Sequence, residues 1–100
     1  MLIFMYFQLS VITPKTPSAF HGRTLTLNCT LVGNITNGIS SRDIAFEFTN
    51  DDVKSKAVRK VIDERTARLT IHKAFLNISS SRISCHLRNE TLDEVAIFIG

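Results

Sequence analysis

The chain has no tryptophan, one tyrosine, two prolines and two cysteines, set against seven phenylalanines. The aromatic set is therefore skewed to phenylalanine. Two cysteines allow one disulfide and exclude a cysteine-dense scaffold. No apolar run approaches the ~20 residues needed to cross a bilayer. Neither sign of charge dominates: the net charge is +3 and the pI about 9.2, too mild to indicate nucleic-acid binding by itself. Repeats, low-complexity tracts and internal linkers are also missing. What remains is 100 residues with 44% hydrophobic and 21% charged side chains, the composition of one soluble globular domain.

The two cysteines lie in similar surroundings. Leu25-Thr-Leu27-Asn-Cys29-Thr-Leu31 and Ile83-Ser-Cys85-His-Leu87 both alternate apolar and polar residues, the period of a strand with one buried face. Each cysteine falls in the apolar register, so both sulfurs point into one interior, 56 positions apart. That pattern suits the bond between the two sheets of an immunoglobulin-type sandwich. We therefore expect an all-β, two-sheet antiparallel sandwich with a Cys29–Cys85 disulfide. In the loop-entropy picture, closing a loop of this length stabilises the fold by about 4 kcal/mol.

The other strands follow at roughly ten-residue spacing, as in a sandwich. Residues 8–13 read as a first strand, confined to an edge by Pro14 and Pro17. Residues 18–23 form a turn and 24–31 the first cysteine strand, with a long loop over 32–42. Asp43 to Thr49 is a strand with Ile44, Phe46 and Phe48 on one face. Asn50-Asp51-Asp52 is a turn cluster. Val53 to Glu64 reads as a short edge strand plus loop, with a helix as the alternative, since Val53 to Asp63 lacks Gly and Pro. Thr66 to His72 alternates well. The second cysteine strand spans 82–88, Asn89 to Leu92 is a tight connection, and Glu94 to Ile99 is the last strand. Residues 1–7 read as a signal-peptide remnant or a start-site extension, and 8–100 as the domain.

All asparagines but Asn37 and Asn50 begin Asn-x-Ser/Thr: Asn28, Asn34, Asn77 and Asn89. Such a density of glycosylation acceptors points to the secretory pathway, where a disulfide persists. Chemistry is scarce. His21 falls in a turn, and His72 and His86 in the outward register of their strands. No serine sits in a nucleophile elbow and no carboxylate pair shares a site. Cys85-His86 is a poor metal pair, because strand neighbours point to opposite faces. We expect no enzyme activity, no catalytic or metal site, no cofactor, no small-molecule substrate and no nucleic-acid partner. Lys54, Lys56, Arg59 and Lys60 form a basic cluster that would suit an acidic partner or a sulfated glycan. The simpler reading is that edge lysines discourage strand-to-strand aggregation.

Several short motifs, in order, resemble the C2-type Ig-like domain at the N-terminus of class I cytokine receptors. The group in question includes the interleukin-6 receptor beta subunit and the interleukin-23 receptor. The motifs are Ile12-Thr-Pro14-Lys-Thr-Pro17, Thr66-Ala67-Arg68-Leu69, Leu76-Asn77-Ile78 and Ala96-Ile97-Phe98-Ile99-Gly100. They span about residues 11–100. Phe46 takes the place where Ig domains usually carry Trp, and Ile83 stands where they carry a tyrosine two residues before the second cysteine. The resemblance implies a recognition module that contacts one end of a four-helix cytokine and helps build a signalling complex with co-receptor chains. It also implies a cell-surface or secreted location, with any membrane anchor outside these residues. The alternative is an adhesive or structural Ig domain.

If all four sequons carry glycans, the surface left clear is the outer face of the second cysteine strand and its neighbours. Asp43, Glu47, His86, Arg88 and Phe98 are the residues expected to meet a partner there. The first strand, Gln8 to Thr13, is the rival contact.

Overall fold

The computed structural model describes residues 9–33, 38–87 and 90–100. Its elements are β1 (Leu9–Thr13), β2 (Ser18–Ala19), β3 (Arg23–Val32), β4 (Ile44–Phe48), α1 (Asp51–Lys56), β5 (Ala57–Val61), β6 (Thr66–Ala74), β7 (Arg82–Leu87), β8 (Glu90–Ala96) and β9 (Phe98–Ile99). Strands β1-β3-β6-β5 form one sheet and β4-β7-β8 the other, all antiparallel, while β2 and β9 pair in parallel. This is the expected sandwich, with the cysteine strands β3 and β7 in opposite sheets.

Alternation decides which side chains meet between the sheets. Leu25, Leu27 and Leu31 of β3 and Leu69 and Ile71 of β6 are buried against Ile44, Ile83, Leu87 and Val95 from the other sheet. Each such burial contributes about 1.5–3 kcal/mol. The Cys29–Cys85 disulfide lies at the centre, its Cα atoms 6.4 Å apart. Ala67, opposite Cys29 in the register, leaves room for the sulfurs. Phe46 is opposite Cys85 and packs half-buried against the core, where the missing Trp would stand. The Ser10 hydroxyl lies 3.5 Å from Cys29 Sγ and 3.9 Å from Cys85 Sγ. The bonded sulfurs carry no proton, so the hydroxyl donates.

The structure departs from the sequence reading most in two stretches, besides the β2–β9 pair, which takes Ser18–Ala19 from the expected turn and breaks the expected last strand at Ile97. Asp51–Lys56 is helical and Ala57–Val61 is a strand, so the two readings of Val53 to Glu64 each hold for part of it. Asn50 is the reason: its Oδ1 accepts from the Asp52 amide at 2.7 Å. An N-cap followed by two acidic residues starts a helix, and Val53 fixes it by burying its side chain. The second departure is that β8 begins at Glu90, inside the expected connection. A bulge between Cys85 and His86 sets Cys85 opposite Asp93 and His86 opposite Thr91. Leu92 is the extra residue, and it packs on the core. An inserted residue of this kind breaks the period-two pattern. Residues 1–8, including Gln8 of the expected first strand, lie outside the described residues.

Candidate functional site

The outer face of β4, β7 and β8 is built from two rows. Glu47, Ser84 and Glu94 are neighbours across the three strands, and so are Ala45, His86 and Thr91. Directly opposed residues of antiparallel strands share a face. The bulge at Leu92 brings Thr91 out beside His86. All of these side chains but that of Ala45, together with Phe48 and Thr49, line a shallow groove. His86 is its centre: Ser84 Oγ lies 2.9 Å from Nε2, Thr91 Oγ1 3.4 Å from Nδ1, and Glu47 Oε1 3.7 Å from Nε2. The His86 side chain is 14% exposed and that of Glu47 69%. Arg82 pairs with Glu94 at 2.9 Å along the same face.

A serine, a histidine and a carboxylate this close invite comparison with a nucleophilic relay. The geometry is wrong for one. In such a relay the carboxylate orients the histidine through one ring nitrogen while the other takes the serine proton. Here Ser84 and Glu47 address the same nitrogen, and a threonine faces the other. The cluster is a shallow polar surface with His86 at its base.

Of the residues expected to meet a partner, Glu47 and His86 come together in this groove. Asp43 is exposed just before β4, at the end where Ile44 pairs with Leu87, and its Oδ2 accepts from the Ser40 amide at 2.9 Å. Phe98 lies towards the other end, on β9 beside β2, and is 46% exposed. Arg88, Asn34 and Asn89 lie outside the described residues. Of the other sequons, Asn77 is exposed and Asn28 half-buried on the outer face of the four-stranded sheet.

The basic cluster is dispersed. Lys54 and Lys56 lie on α1, with Lys56 Nζ 4.4 Å from the Phe75 ring centre. Lys60 faces outward from β5, opposite Arg68. Arg59, exposed on the edge strand β5, reaches across to the start of β4, where Nε donates to the Ile44 carbonyl at 2.8 Å and Nη2 to those of Arg42 at 2.8 Å and Ser41 at 3.1 Å.

Sequence reasoning missed Asp93. The bulge turns it from β8 toward β1, where Oδ2 accepts from the Ile12 amide at 2.8 Å and from Lys15 Nζ at 3.4 Å, and Oδ1 from the Glu94 amide. This carboxylate ties the first strand to the opposite sheet. Partial burial raises its pKa, but the two amides and Lys15 outweigh that and hold it below the ordinary 3.8. A depressed pKa favours the folded state above the unfolded-state value, and the gain is lost as the pH falls through the folded one. Thermal melts of the native chain should therefore lose stability steadily from about pH 5 downward. Asp93→Asn should start less stable at pH 7 and show a flatter slope over that range. Parallel slopes would remove Asp93 from the acid response.

No protein-family sequence profile matches the chain, and no curated protein matches it either. Among solved structures, the tandem Ig repeats of Dlar match with a TM-score of 0.67 and 14% identity, over 93% of this chain and 47% of that one. The chain thus spans about half the length of that neighbour. The likeness is one of fold, and this chain has an immunoglobulin-like sandwich tied by Cys29–Cys85.

Proposed function

We propose that this chain is an extracellular Ig-like recognition domain that receives a four-helix cytokine on the outer face of β4, β7 and β8. The observation that carries this reading is the groove in which Glu47 and His86 meet on an open sheet face. The Glu47 carboxylate, 69% exposed, is not consumed by the packing of the domain, and Glu94 lies in the same cross-strand row, paired with Arg82. Such a face suits a basic partner surface and would steer its approach. The resemblance to cytokine-receptor Ig-like domains supplies the class of partner. By the same reading Asn28, Asn34, Asn77 and Asn89 are glycosylation sites of a secreted or cell-surface chain. Among the described residues no helix is long and apolar enough to cross a membrane.

A panel of four-helix cytokines passed over the immobilised domain tests this. One should bind, and Glu47→Arg should weaken it by about tenfold or more with the far-UV spectrum unchanged. Binding that is indifferent to Glu47→Arg and His86→Ala would move the contact off this face. No binding across the panel would remove the cytokine reading.

A further inference from the structure

Charge is segregated between the two sheets. The strands of the four-stranded sheet carry Arg23, Arg59, Lys60, Arg68 and Lys73 and no Asp or Glu, whereas β4, β7 and β8 carry Glu47, Glu90, Asp93 and Glu94 against Arg82. The outer face of the four-stranded sheet has an ordered pattern. Thr13, Asn28, Arg68 and Lys60 are successive cross-strand neighbours and form one row over all four strands, about 14 Å wide at ordinary strand spacing. The Asn28 Oδ1 accepts from Arg68 Nε at 3.1 Å, which anchors the guanidinium on this face. Thr26 and Thr70 form the adjacent row with Val58, and His72 is exposed two residues beyond Thr70. Among the described residues the ion pairs are Lys15–Asp93, Arg82–Glu94 and His86–Glu47, none of them on this face.

We propose that this face binds a sulfated polysaccharide, with Lys60 and Arg68 as its central cations and the threonine hydroxyls as hydrogen-bond donors. The chemistry favours a polyanion over a protein. Protein interfaces concentrate their energy in buried aromatic and apolar anchors, and the outward residues of this sheet include no aromatic. A sulfated chain needs no pocket. It needs cations without competing carboxylates, and Arg in particular, whose planar fork matches tetrahedral oxyanions. The site is separate from the groove on the opposite sheet and does not rest on the cytokine reading. Asn28 lies inside the row, so the site belongs to the form of the chain whose Asn28 acceptor is unused, and a glycan attached there closes the face.

The test uses the disulfide-bonded chain made without N-glycosylation and heparin as the probe. Lys60→Ser, which leaves the Asn28–Arg68 contact intact, and Lys60→Ser with Arg68→Ser should elute from a heparin column at progressively lower salt. The double variant should bind about tenfold more weakly. Lys54→Ser with Lys56→Ser should elute near the parent, and so should Glu47→Arg. The same chain carrying a glycan on Asn28 should lose retention. Equal loss from the α1 double variant would reassign the effect to overall charge and overturn the proposal. So would full retention with Asn28 glycosylated, or poly-glutamate binding as tightly as heparin.

Discussion

Replacing both cysteines, Cys29→Ala with Cys85→Ala, is expected to remove more unfolding free energy than the about 4 kcal/mol that loop closure alone supplies. That is a large part of the roughly 5–15 kcal/mol available to a domain of this size. The loss has two sources. One is the closed loop of 56 residues, whose opening lets the unfolded chain expand. The other is the space left between Ala67 and Phe46, the residues opposite the two cysteines. Urea unfolding separates them. Opening the loop should steepen the dependence on denaturant, because a freer unfolded chain exposes more surface. Reduced native protein keeps both sulfurs and should lose only the loop contribution, so it should unfold between the native chain and the alanine variant. The Ser10 hydroxyl loses its sulfur partners only in the alanine variant. An unchanged urea midpoint after reduction would mean that the packing, and not the covalent link, holds the sheets together.

What the sequence disclosed followed from periodicity. β3, β4 and β7 alternate without interruption, so their buried faces, the direction of both sulfurs and the outward placement of His86 and Glu47 could all be read from parity. Where the pattern was broken, the reading failed. Asn50-Asp51-Asp52 has the composition of a turn, but it is equally an N-cap with an acidic first turn, and only the burial of Val53 decides between them. Leu92 inserts one residue into β8, and every residue before it changes face. The site was legible one strand at a time. That Glu47 reaches His86 depends on the register of β4 against β7, which no single strand contains. Phe98 has the right parity but the wrong place, because the chain passes through Ile97 into a separate pairing with β2. Asp93 and Arg59 were invisible for a different reason. Apart from Lys15 on Asp93, their partners are backbone groups, which leave no mark in the sequence.

Arg59 carries the second large prediction. By parity it is on the inward side of β5, but at the edge of the sheet, where the residue stays exposed and its guanidinium can reach across to the other sheet. It finds three carbonyls, those of Ser41, Arg42 and Ile44, at the entry to β4. Strand β4 pairs only with β7, so its other edge is open, and the guanidinium occupies the start of that edge. The same side chain thereby links the two sheets on the side opposite the Asp93 latch. Arg59→Met keeps the length and the apolar stem but supplies no donor. With Ser41 and Ile44 buried, the stranded carbonyls should cost about 2–3 kcal/mol, which in a domain this small lowers the melting temperature by about 10 °C or more. Arg59→Lys places a point charge where a planar fork was needed and should recover only part of the loss. The freed edge of β4 should also increase concentration-dependent association in light scattering. If Met, Lys and Arg at this position melt together, water serves those carbonyls as well as the guanidinium does, and the sheets are held by the core and the disulfide alone.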